Sequence, residues 1–260
     1  EIPSRHLGLS LDEDFCFEEF ADRVAELVEK YVDIDRLLEL TKQVAPAALP
    51  MSVSHRTYRR EPSFTVAIAR DPAFNFMYEA NIRYLHHLGE VTYFSPLADT
   101  SLPDTGFVYL PGGYPELYLA ALSANRPMLQ SIRRYVENGG KLLAECGGMM
   151  YLCDEIRDKN GDVYPMAGVL HQSATMQNMK LRLGYRTLLY DDARLKGHEF
   201  HYSRLVERQD PLPSCAVAYT AKGVETDTPL YHYKNVWAGY THLYWADPAG
   251  NDWFTKFIIK

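Results

Sequence analysis

The sequence has no surplus of positive charge. It contains 27 Lys and Arg residues against 34 Asp and Glu residues, so its formal net charge at pH 7 is −7, and no basic block stands out. This shortage argues against nucleic acid or an anionic membrane surface as a partner. The sequence also lacks a signal peptide and any apolar run near the roughly 18 residues that a transmembrane helix needs. We therefore expect a cytoplasmic protein without membrane contact.

Cysteine is scarce as well. The four cysteines, Cys16, Cys146, Cys153 and Cys215, show neither paired metal-ligand spacing nor the density of a disulfide framework. They fit a reducing compartment and predict no metal site. The composition, 47% hydrophobic and 23% charged over 260 residues, allows one large α/β domain with or without an appendage. Because the first residue is Glu1 and not Met, we expect a fragment or a processed product.

The pattern of apolar residues divides the chain. Between Phe15 and Lys42, apolar residues recur at intervals of three and four, which predicts one or two amphipathic helices. The following residues mix Pro, Ala, Ser and basic side chains without any period. We interpret the chain as an N-terminal helical segment (1–45), a linker (46–62) and a main domain (63–260).

The main domain alternates short apolar runs with helical patterns and becomes richer in strands toward its end. This alternation predicts an α/β fold with a parallel sheet covered by helices on both faces. In such sheets functional sites lie beyond the carboxyl ends of the strands, where Gly112, Gly113 and Cys146 fall. The predicted strands are 64–69, 91–94, 107–110, 141–145, 181–190, 199–206, 216–220 and 235–240, and the predicted helices are 75–88 and 114–138, the second interrupted at Pro127.

Residues 141–152 carry the most specific local signal. An apolar run ends in Cys146, two glycines follow at once, and an apolar segment with helical spacing comes next. This order predicts a strand, a tight turn and a helix, which is the arrangement of a nucleophile elbow. At that position the helix dipole would favour the thiolate of Cys146 over the thiol. The alternative is a buried structural cysteine beside a Gly-Gly turn.

Partners for a nucleophilic cysteine are also present. A thiolate that attacks an amide carbonyl needs an acid or base beside it and N–H donors for the oxyanion. The Gly112-Gly113 turn, at the end of another predicted strand, can supply such donors. Among the nine histidines, His242 follows a predicted strand, and alternation puts His198 on one strand face and Glu199 and His201 on the other. Spacing alone does not choose among these histidines.

Five motifs occur along the chain in a characteristic order: Leu110–Glu116, Ala144–Gly148, Gly184–Arg186, Gly197–Ser203 and Tyr240–Leu243. Together they resemble the glutamine amidotransferase domain of the cobyrinate a,c-diamide synthase family, over about residues 64–250. The resemblance implies a class I, flavodoxin-like α/β fold. It also implies that glutamine is hydrolysed and that the ammonia passes to an ATP-dependent synthetase domain, which amidates the a- and c-carboxylates of a corrin ring in cobalamin biosynthesis.

The resemblance assigns roles to individual residues. Cys146 matches the nucleophile of the family and His242 matches its catalytic histidine. The backbone N–H groups of Gly113 and Gly147 match the oxyanion hole. In this reading Cys146 attacks the side-chain amide of glutamine, and His242 protonates the departing ammonia and then activates water against the thioester.

Two positions depart from the pattern of many class I amidotransferases. Those proteins place Glu two residues after the catalytic histidine and Gln four residues after the cysteine, where this chain has Tyr244 and Met150. The corrin-amidating branch resembles this chain in both respects. A Cys–His dyad is therefore expected, with the residue that orients the histidine unidentified. His198, Glu199 and His201 are expected either to contact the acceptor or the synthetase domain, or to form a structural hydrogen-bond network.

No Gly-x-x-x-x-Gly-Lys-Ser/Thr motif occurs in the chain. The synthetase domain of the family, which uses ATP and Mg²⁺, is therefore expected upstream of Glu1, with residues 1–45 as its terminal helices. Glutamine hydrolysis itself implies no cofactor. The apolar stripe of those helices is expected to pack on the amidotransferase body or on a second copy of the chain, as in a homodimer.

Three functions remain open at this point. The chain is the glutaminase part of a corrin-ring diamide synthase, or a related amidotransferase whose acceptor is a nickel tetrapyrrole or a cell-wall lipid precursor. The third function is a docking module with a vestigial Cys–His pair, against which the intact Cys146, Gly113 and His242 speak. Release of ammonia from glutamine separates the third function from the other two.

Overall fold

The structure, a computed structural model, describes residues 4–5, 8–9, 17–42, 64–207 and 209–259. The chain divides into two compact units, residues 1–57 and 58–260. The linker predicted for residues 46–62 lies outside the described residues for its whole length, as does Cys16.

The first unit contains two helices. α1 (Phe17–Tyr31) and α2 (Ile34–Lys42) come after two short strands, β1 (Ser4–Arg5) and β2 (Gly8–Leu9), which pair antiparallel. The helices confirm the amphipathic pattern predicted from the sequence. Acidic residues in the first turn and Lys in the last turn of each helix complement the helix dipole.

The second unit alternates strands and helices in its first half and is mainly β in its second half. Its helices are α3 (Glu79–Leu88), α4 (Leu119–Ala124), α5 (Arg126–Glu137), α6 (Gly147–Leu152) and α7 (Pro248–Phe254), with a 3₁₀ turn at Pro115–Leu117 and a π-helical turn at Thr255–Ile259. Its strands are β3 (Thr65–Ala69), β4 (Glu90–Phe94), β5 (Phe107–Leu110), β6 (Lys141–Glu145), β7 (Glu155–Arg157), β8 (Val163–Pro165), β9 (Ser173–Thr175), β10 (Arg182–Tyr190), β11 (Ala193–His201), β12 (Arg204–Leu205), β13 (Val217–Thr220), β14 (Glu225–Thr226), β15 (Leu230–Tyr233), β16 (Val236–Gly239) and β17 (His242–Tyr244).

The central sheet has six strands in the order β15-β16-β6-β5-β3-β4. All neighbours are parallel except β15 and β16. Every residue of β5 and β16 is buried, and β6 is exposed in part at Lys141 alone. Such continuous burial is typical of parallel strands that are covered on both faces. The parallel sheet predicted from the sequence is confirmed.

Alternate residues of β5 and β6 pack into two separate cores. Leu110 and Ala144 belong to a core that also contains apolar side chains of α4, α5 and α6. Tyr109 and Leu143 belong to the other core, with side chains of α3, α7 and the hairpin β10–β11. Successive side chains of a strand point to opposite faces, so both faces of the sheet are buried.

A second sheet is antiparallel, in the order β14-β13-β10-β11-β17. β10 and β11 pair along nine residues each, from Arg182 opposite His201 to Tyr190 opposite Ala193. β17 pairs with β11 at the edge of this sheet, which places His242 directly opposite His198. A small third sheet has the order β12-β9-β7-β8.

For residues 114–138 the prediction of helical structure interrupted at Pro127 is wrong about the position of the break. The chain forms a 3₁₀ turn, α4 and α5 in succession, and the break falls at Asn125. The Asn125 side chain caps α5 by accepting from the Met128 N–H at 3.4 Å. Pro127 lies in the first turn of α5, where its missing N–H removes no intrahelical bond.

The β-rich half also differs from the prediction. β11 begins at Ala193 and ends at His201, whereas one strand was predicted over 199–206, because pairing with β10 determines its length. His242, predicted to follow a strand, is the first residue of β17. The short strands β7, β8, β9, β12, β14, β15 and β17 carry too few residues for a periodic signal.

Asn81 joins α3 to β17. Its side chain is fully buried, its Nδ2 donates to the Leu243 carbonyl at 2.8 Å, and its Oδ1 accepts from the Trp245 N–H at 3.2 Å. An edge strand has one unpaired side, so these two bonds satisfy backbone groups that would otherwise be buried without partners. Asn81 therefore holds the strand that begins with His242.

We expect Asn81→Ala to lower the free energy of unfolding by about 1–3 kcal/mol, because it leaves buried backbone groups without partners. Urea unfolding at constant m-value measures the change. Asn160→Ala, on an exposed turn, is the matched control and should change stability by less than about 0.5 kcal/mol. Equal effects of the two substitutions would contradict the anchoring role.

Candidate active site

Cys146 lies in a sharp turn between β6 and α6, as the elbow pattern predicts. Its backbone has φ 48° and ψ −105°, a conformation that residues other than glycine rarely adopt. The Cys146 N–H donates to the Gly239 carbonyl at 2.8 Å, and the Cys146 carbonyl accepts from the Met150 N–H at 3.0 Å. The side chain is 6% exposed. Such strain, held by surrounding bonds, is typical of functional positions.

The two glycines after Cys146 are required by space. A Cβ on Gly148 would overlap the carbonyl of Leu110, and a Cβ on Gly147 would lie 2.7 Å from Cδ of Pro115. No side chain fits at either position without movement of backbone or a proline ring. The glycines therefore let α6 start directly against the end of β5.

The Gly112-Gly113 turn lies against the elbow. A Cβ on Gly147 would lie 3.3 Å from the backbone nitrogen of Gly113, so the two amides assigned to the oxyanion hole are neighbours. The Tyr114 N–H donates to the Ala73 carbonyl at 2.9 Å, which holds the turn, and a Cβ on Gly113 would overlap that carbonyl. Two adjacent backbone N–H groups are what stabilisation of an oxyanion requires.

His242 packs in the same place. Its side chain is almost fully buried, and its ring lies so close to Gly112 that a Cβ there would overlap Cε1. The ring packs edge-on to Phe76 at 4.6 Å and stacks on His198 at 5.0 Å between centroids. Burial, and then the positive charges that His198 and His201 can carry, lower the pKa of His242 to about 3. The imidazole is therefore neutral at rest and can accept a proton.

Glu145, which precedes Cys146, was not singled out by sequence reasoning. It is 2% exposed; its Oε2 accepts from the Tyr109 hydroxyl at 2.7 Å and its Oε1 from the Leu243 N–H at 3.1 Å. Oε2 also lies 3.9 Å from Nδ1 of His242. The sequence did hold a signal for Glu145: a carboxylate is costly on a strand that is buried on both faces, so its presence there indicates hydrogen-bonding or charged partners.

His198, Glu199 and His201 divide between two environments, as strand alternation predicts. His198 faces His242 and its Nδ1 is hydrogen-bonded to the Tyr78 hydroxyl at 2.5 Å. Glu199, on the opposite face and 1% exposed, forms an ion pair with Arg186 at 2.7 Å. Of these three residues, His198 is the one whose ring packs on His242. The proposed contact of these residues with an acceptor or a synthetase domain stays a prediction.

His201 lies on the buried side of the same strand. Its Nδ1 is 2.8 Å from the Ser203 carbonyl, and its ring stacks on Tyr240 at 3.8 Å between centroids. Burial lowers its pKa, and the Ser203 carbonyl and Glu199 oppose this shift. These contacts favour the structural reading for His201.

The thiol of Cys146 is not poised as a free thiolate. Burial raises its pKa well above the usual value, and the carboxylate of Glu116 raises it further, while the Gly147 N–H lowers it. The N–H of Gly147 at the start of α6 favours the thiolate, in the predicted direction, but burial outweighs this contribution. Cys146 needs a base to lose its proton.

Within the described ranges, no group of three or more His, Cys, Asp and Glu side chains is arranged to hold a metal ion. Among the same residues, no helix combines the length and apolar character that crossing a bilayer demands.

Glu116 is a second carboxyl group that acts on Cys146. Burial raises the pKa of Glu116 to about 7. The candidate site therefore consists of a thiol, an imidazole, two carboxyl groups and backbone amides.

Comparison with known proteins identifies relatives over nearly the whole chain. A family model for the CobB/CobQ-like glutamine amidotransferase domain matches residues 65–250. A hydrogenobyrinate a,c-diamide synthase from Pseudomonas aeruginosa is 37% identical over 251 residues, 94% of this chain and 54% of that protein. A cobyrinate a,c-diamide synthase from Dehalococcoides mccartyi is 38% identical over 265 residues, 94% of this chain and 56% of that protein. The chain spans about half the length of the curated relatives it matches.

Solved structures share the fold. PurLQS from Thermotoga maritima has a TM-score of 0.50 and 18% identity, over 69% of this chain and 87% of that chain. A structure described as a glutamine amidotransferase has a TM-score of 0.50 and 16% identity, over 75% of this chain and 99% of that chain. This likeness concerns the fold alone and confirms the predicted α/β class.

A glutamine-analogue chloroketone should label Cys146 selectively in the folded chain, because Cys153 is fully buried in the core and Cys215 is at the edge of another. The iodoacetamide rate at Cys146 should rise about tenfold per pH unit up to pH 9, because a thiol with a raised pKa is still mostly protonated there. Peptide mass spectrometry measures both, with Cys146→Ser as the control. Equal labelling of Cys153 or Cys215 would contradict the assignment.

Gly147→Ala should lower the kcat of glutamine hydrolysis by about 10–100-fold, because its methyl group would displace the Pro115 loop and the Gly113 amide from the oxyanion position. Gly106→Ala is the matched control, since its methyl group would meet no atom closer than 3.6 Å. Steady-state ammonia release measures both variants. Full activity of Gly147→Ala would place the oxyanion hole elsewhere.

Proposed function

Because the chain belongs to the CobB/CobQ-like glutamine amidotransferase family, we propose that it hydrolyses glutamine through Cys146 and His242. The observation that carries the proposal is the strained, buried Cys146 elbow, whose turn lies against the Gly113 amide. The ring of His242 fills the space beside Gly112, the neighbour of that amide. A nucleophile, a base and oxyanion donors are the groups that thiol-dependent amide hydrolysis requires.

The first half of the reaction forms a thioester. Neutral His242 takes the proton of the Cys146 thiol, and the thiolate attacks the side-chain amide carbon of glutamine. The N–H groups of Gly113 and Gly147 stabilise the oxyanion. His242 then gives its proton to the amide nitrogen, the carbon–nitrogen bond breaks, and ammonia leaves.

The second half regenerates the enzyme. His242 removes a proton from water, which attacks the thioester carbonyl, again with the oxyanion at the two glycine amides. The bond to sulfur breaks, glutamate is released and Cys146 recovers its proton. No step of this sequence uses a cofactor.

We further propose that the ammonia amidates the a- and c-carboxylates of a corrin ring in cobalamin biosynthesis. The support is that relatives named cobyrinate or hydrogenobyrinate a,c-diamide synthase align with 94% of this chain. Carboxylate activation by ATP and Mg²⁺ would belong to a synthetase domain, in keeping with the extra length of those relatives. Residues 1–45 would be the end of that domain, and the cytoplasm the place of action.

The chain alone should release ammonia from glutamine at a low rate, without ATP hydrolysis or amidation of cobyrinate. The rate should be low because, without the synthetase domain, the oxyanion hole is not held in its productive position. Small shifts of its N–H groups raise the barrier, and each 1.4 kcal/mol lowers the rate about tenfold. A coupled assay of ammonia and glutamate measures the rate, and adding a synthetase domain should raise it.

Two variants make this test specific. Cys146→Ala should abolish ammonia release, whereas Cys153→Ala, which alters a buried thiol in the same core, should retain it. Ammonia release by Cys146→Ala at the wild-type rate would refute the proposed mechanism. Amidation of cobyrinate by the chain alone would refute the assignment of the nucleotide site to another domain.

A further inference from the structure

The catalytic histidine has one ring nitrogen without a bonding partner. Nδ1 of His242 is buried and forms no hydrogen bond to any residue that the structure describes. The carboxylate oxygen Oε2 of Glu145 lies 3.9 Å from it. A neutral imidazole carries its proton on one nitrogen, and the bond at the other nitrogen determines which one. Nδ1 therefore needs an acceptor if the second nitrogen, Nε2, is to act as the base.

The neighbouring side chains do not supply that acceptor. Tyr244, at the position where many class I amidotransferases have Glu, has no carboxylate and packs edge-on against Tyr78 at 5.4 Å. His198 stacks on the His242 ring, and its own Nδ1 is bonded to the Tyr78 hydroxyl. Phe76 is apolar. Glu145 is the acidic group that forms an ion-pair contact with His242 among the described residues.

We propose that Glu145 is the positioning residue of His242 and that its carboxylate accepts a hydrogen bond from Nδ1–H while His242 exchanges the proton with Cys146. This inference rests on the proposed function. The proton of the Cys146 thiol moves to Nε2, the imidazolium keeps its Nδ1 proton against Glu145, and the Nε2 proton leaves with ammonia. The carboxylate thus comes from the residue before the nucleophile and not from the residue two positions after the histidine.

The proposed hydrogen bond requires the Glu145 carboxylate and the His242 ring to move slightly closer together. A separation of 3.9 Å exceeds the roughly 2.9 Å of a hydrogen bond, so the ring or the carboxylate moves by about 1 Å to form it. Catalytic hydrogen bonds are often long without substrate and shorten when the reacting complex forms. Glu145 is held on its other sides by Tyr109 and Leu243, which leaves the approach to the imidazole.

Electrostatics favours ionisation of the two groups together. Burial raises the pKa of Glu145 to about 8 and lowers the pKa of His242 to about 3, with His198 and His201 lowering it further. Both shifts reflect the cost of a single charge in a buried site. When the imidazolium forms beside the carboxylate, each charge compensates the other. The donors Tyr109 and Leu243 already stabilise the ionised carboxylate.

Glu145→Gln tests the inference. The amide keeps the shape of the side chain and still accepts from the Leu243 N–H, but it has no charge for an imidazolium. We expect kcat for glutamine hydrolysis to fall by about 10²–10⁴-fold with KM unchanged. The acid limb of the pH profile of kcat/KM should move to lower pH, because a carboxylate raises the pKa of an adjacent imidazole and its removal lowers that pKa. Glu145→Asp should recover part of kcat.

Nitrogen NMR of His242 supplies a measurement that does not depend on activity. Above about pH 8, where Glu145 is ionised, the wild-type chain should show the Nδ1–H tautomer, and Glu145→Gln should raise the fraction of the Nε2–H tautomer, because the glutamine amide can donate to Nδ1. Unchanged tautomer populations, or a wild-type kcat in Glu145→Gln, would overturn the inference. A wild-type chain that shows the Nδ1–H tautomer but never hydrolyses glutamine would overturn the proposed function alone.

Asn81→Ala separates positioning from backbone support. Asn81 and Glu145 both bond to the backbone of Leu243, but only Glu145 is near the imidazole. Asn81→Ala should lower stability without changing the pH profile or the His242 tautomer. If it reproduces the tautomer change and pH shift of Glu145→Gln, Glu145 acts only by anchoring β17, and the positioning role is refuted.

Discussion

The parallel register of β5, β6 and β16 determines where the reactive groups lie. β5 places Leu110 beside Ala144, and β16 places Gly239 beside Glu145, so the three strands end at one level of the sheet. After β5 the chain enters the Gly112-Gly113 turn, after β6 it continues into Cys146, and after β16 it leads to His242. Because each strand is buried on both faces, none can shift without disturbing two cores. The chemistry of the site therefore depends first on backbone packing.

Burial that makes the site rigid also makes isolated charge costly within it. It raises the pKa of the Cys146 thiol and of Glu145, and it lowers the pKa of His242. At rest the groups are therefore close to neutral. A reaction that separates charge as thiolate and imidazolium needs fixed dipoles and a counter-charge nearby, which are worth more in such a site than in water. In the proposed mechanism the amides of Gly113 and Gly147 would supply the fixed dipoles, and Glu145 would supply the counter-charge.

Local patterns were enough to predict the elbow and the central sheet, because alternating and helical periods act within a few residues. The contact between Glu145 and Leu243 was not predictable in this way. It joins residues that are far apart in sequence, and they meet because β16 pairs with β6 and places Gly239, four residues before Leu243, beside Glu145. The raised pKa of Cys146 was missed for a related reason, since desolvation depends on surrounding elements and not on the strand and helix that flank the residue.

Cys146 directly follows β6 of the central sheet and His242 begins β17 of the antiparallel sheet, so their separation depends on the few bonds that hold β17 in place. β17 has three residues and lies at the edge of the antiparallel sheet. Beyond its pairing with β11, it is held by Asn81 and by Glu145 at Leu243. Glu145 is covalently next to Cys146 and hydrogen-bonded to Leu243, the residue after His242. One side chain thus links both halves of the site, which accounts for a carboxylate on a strand where burial alone favours an apolar residue.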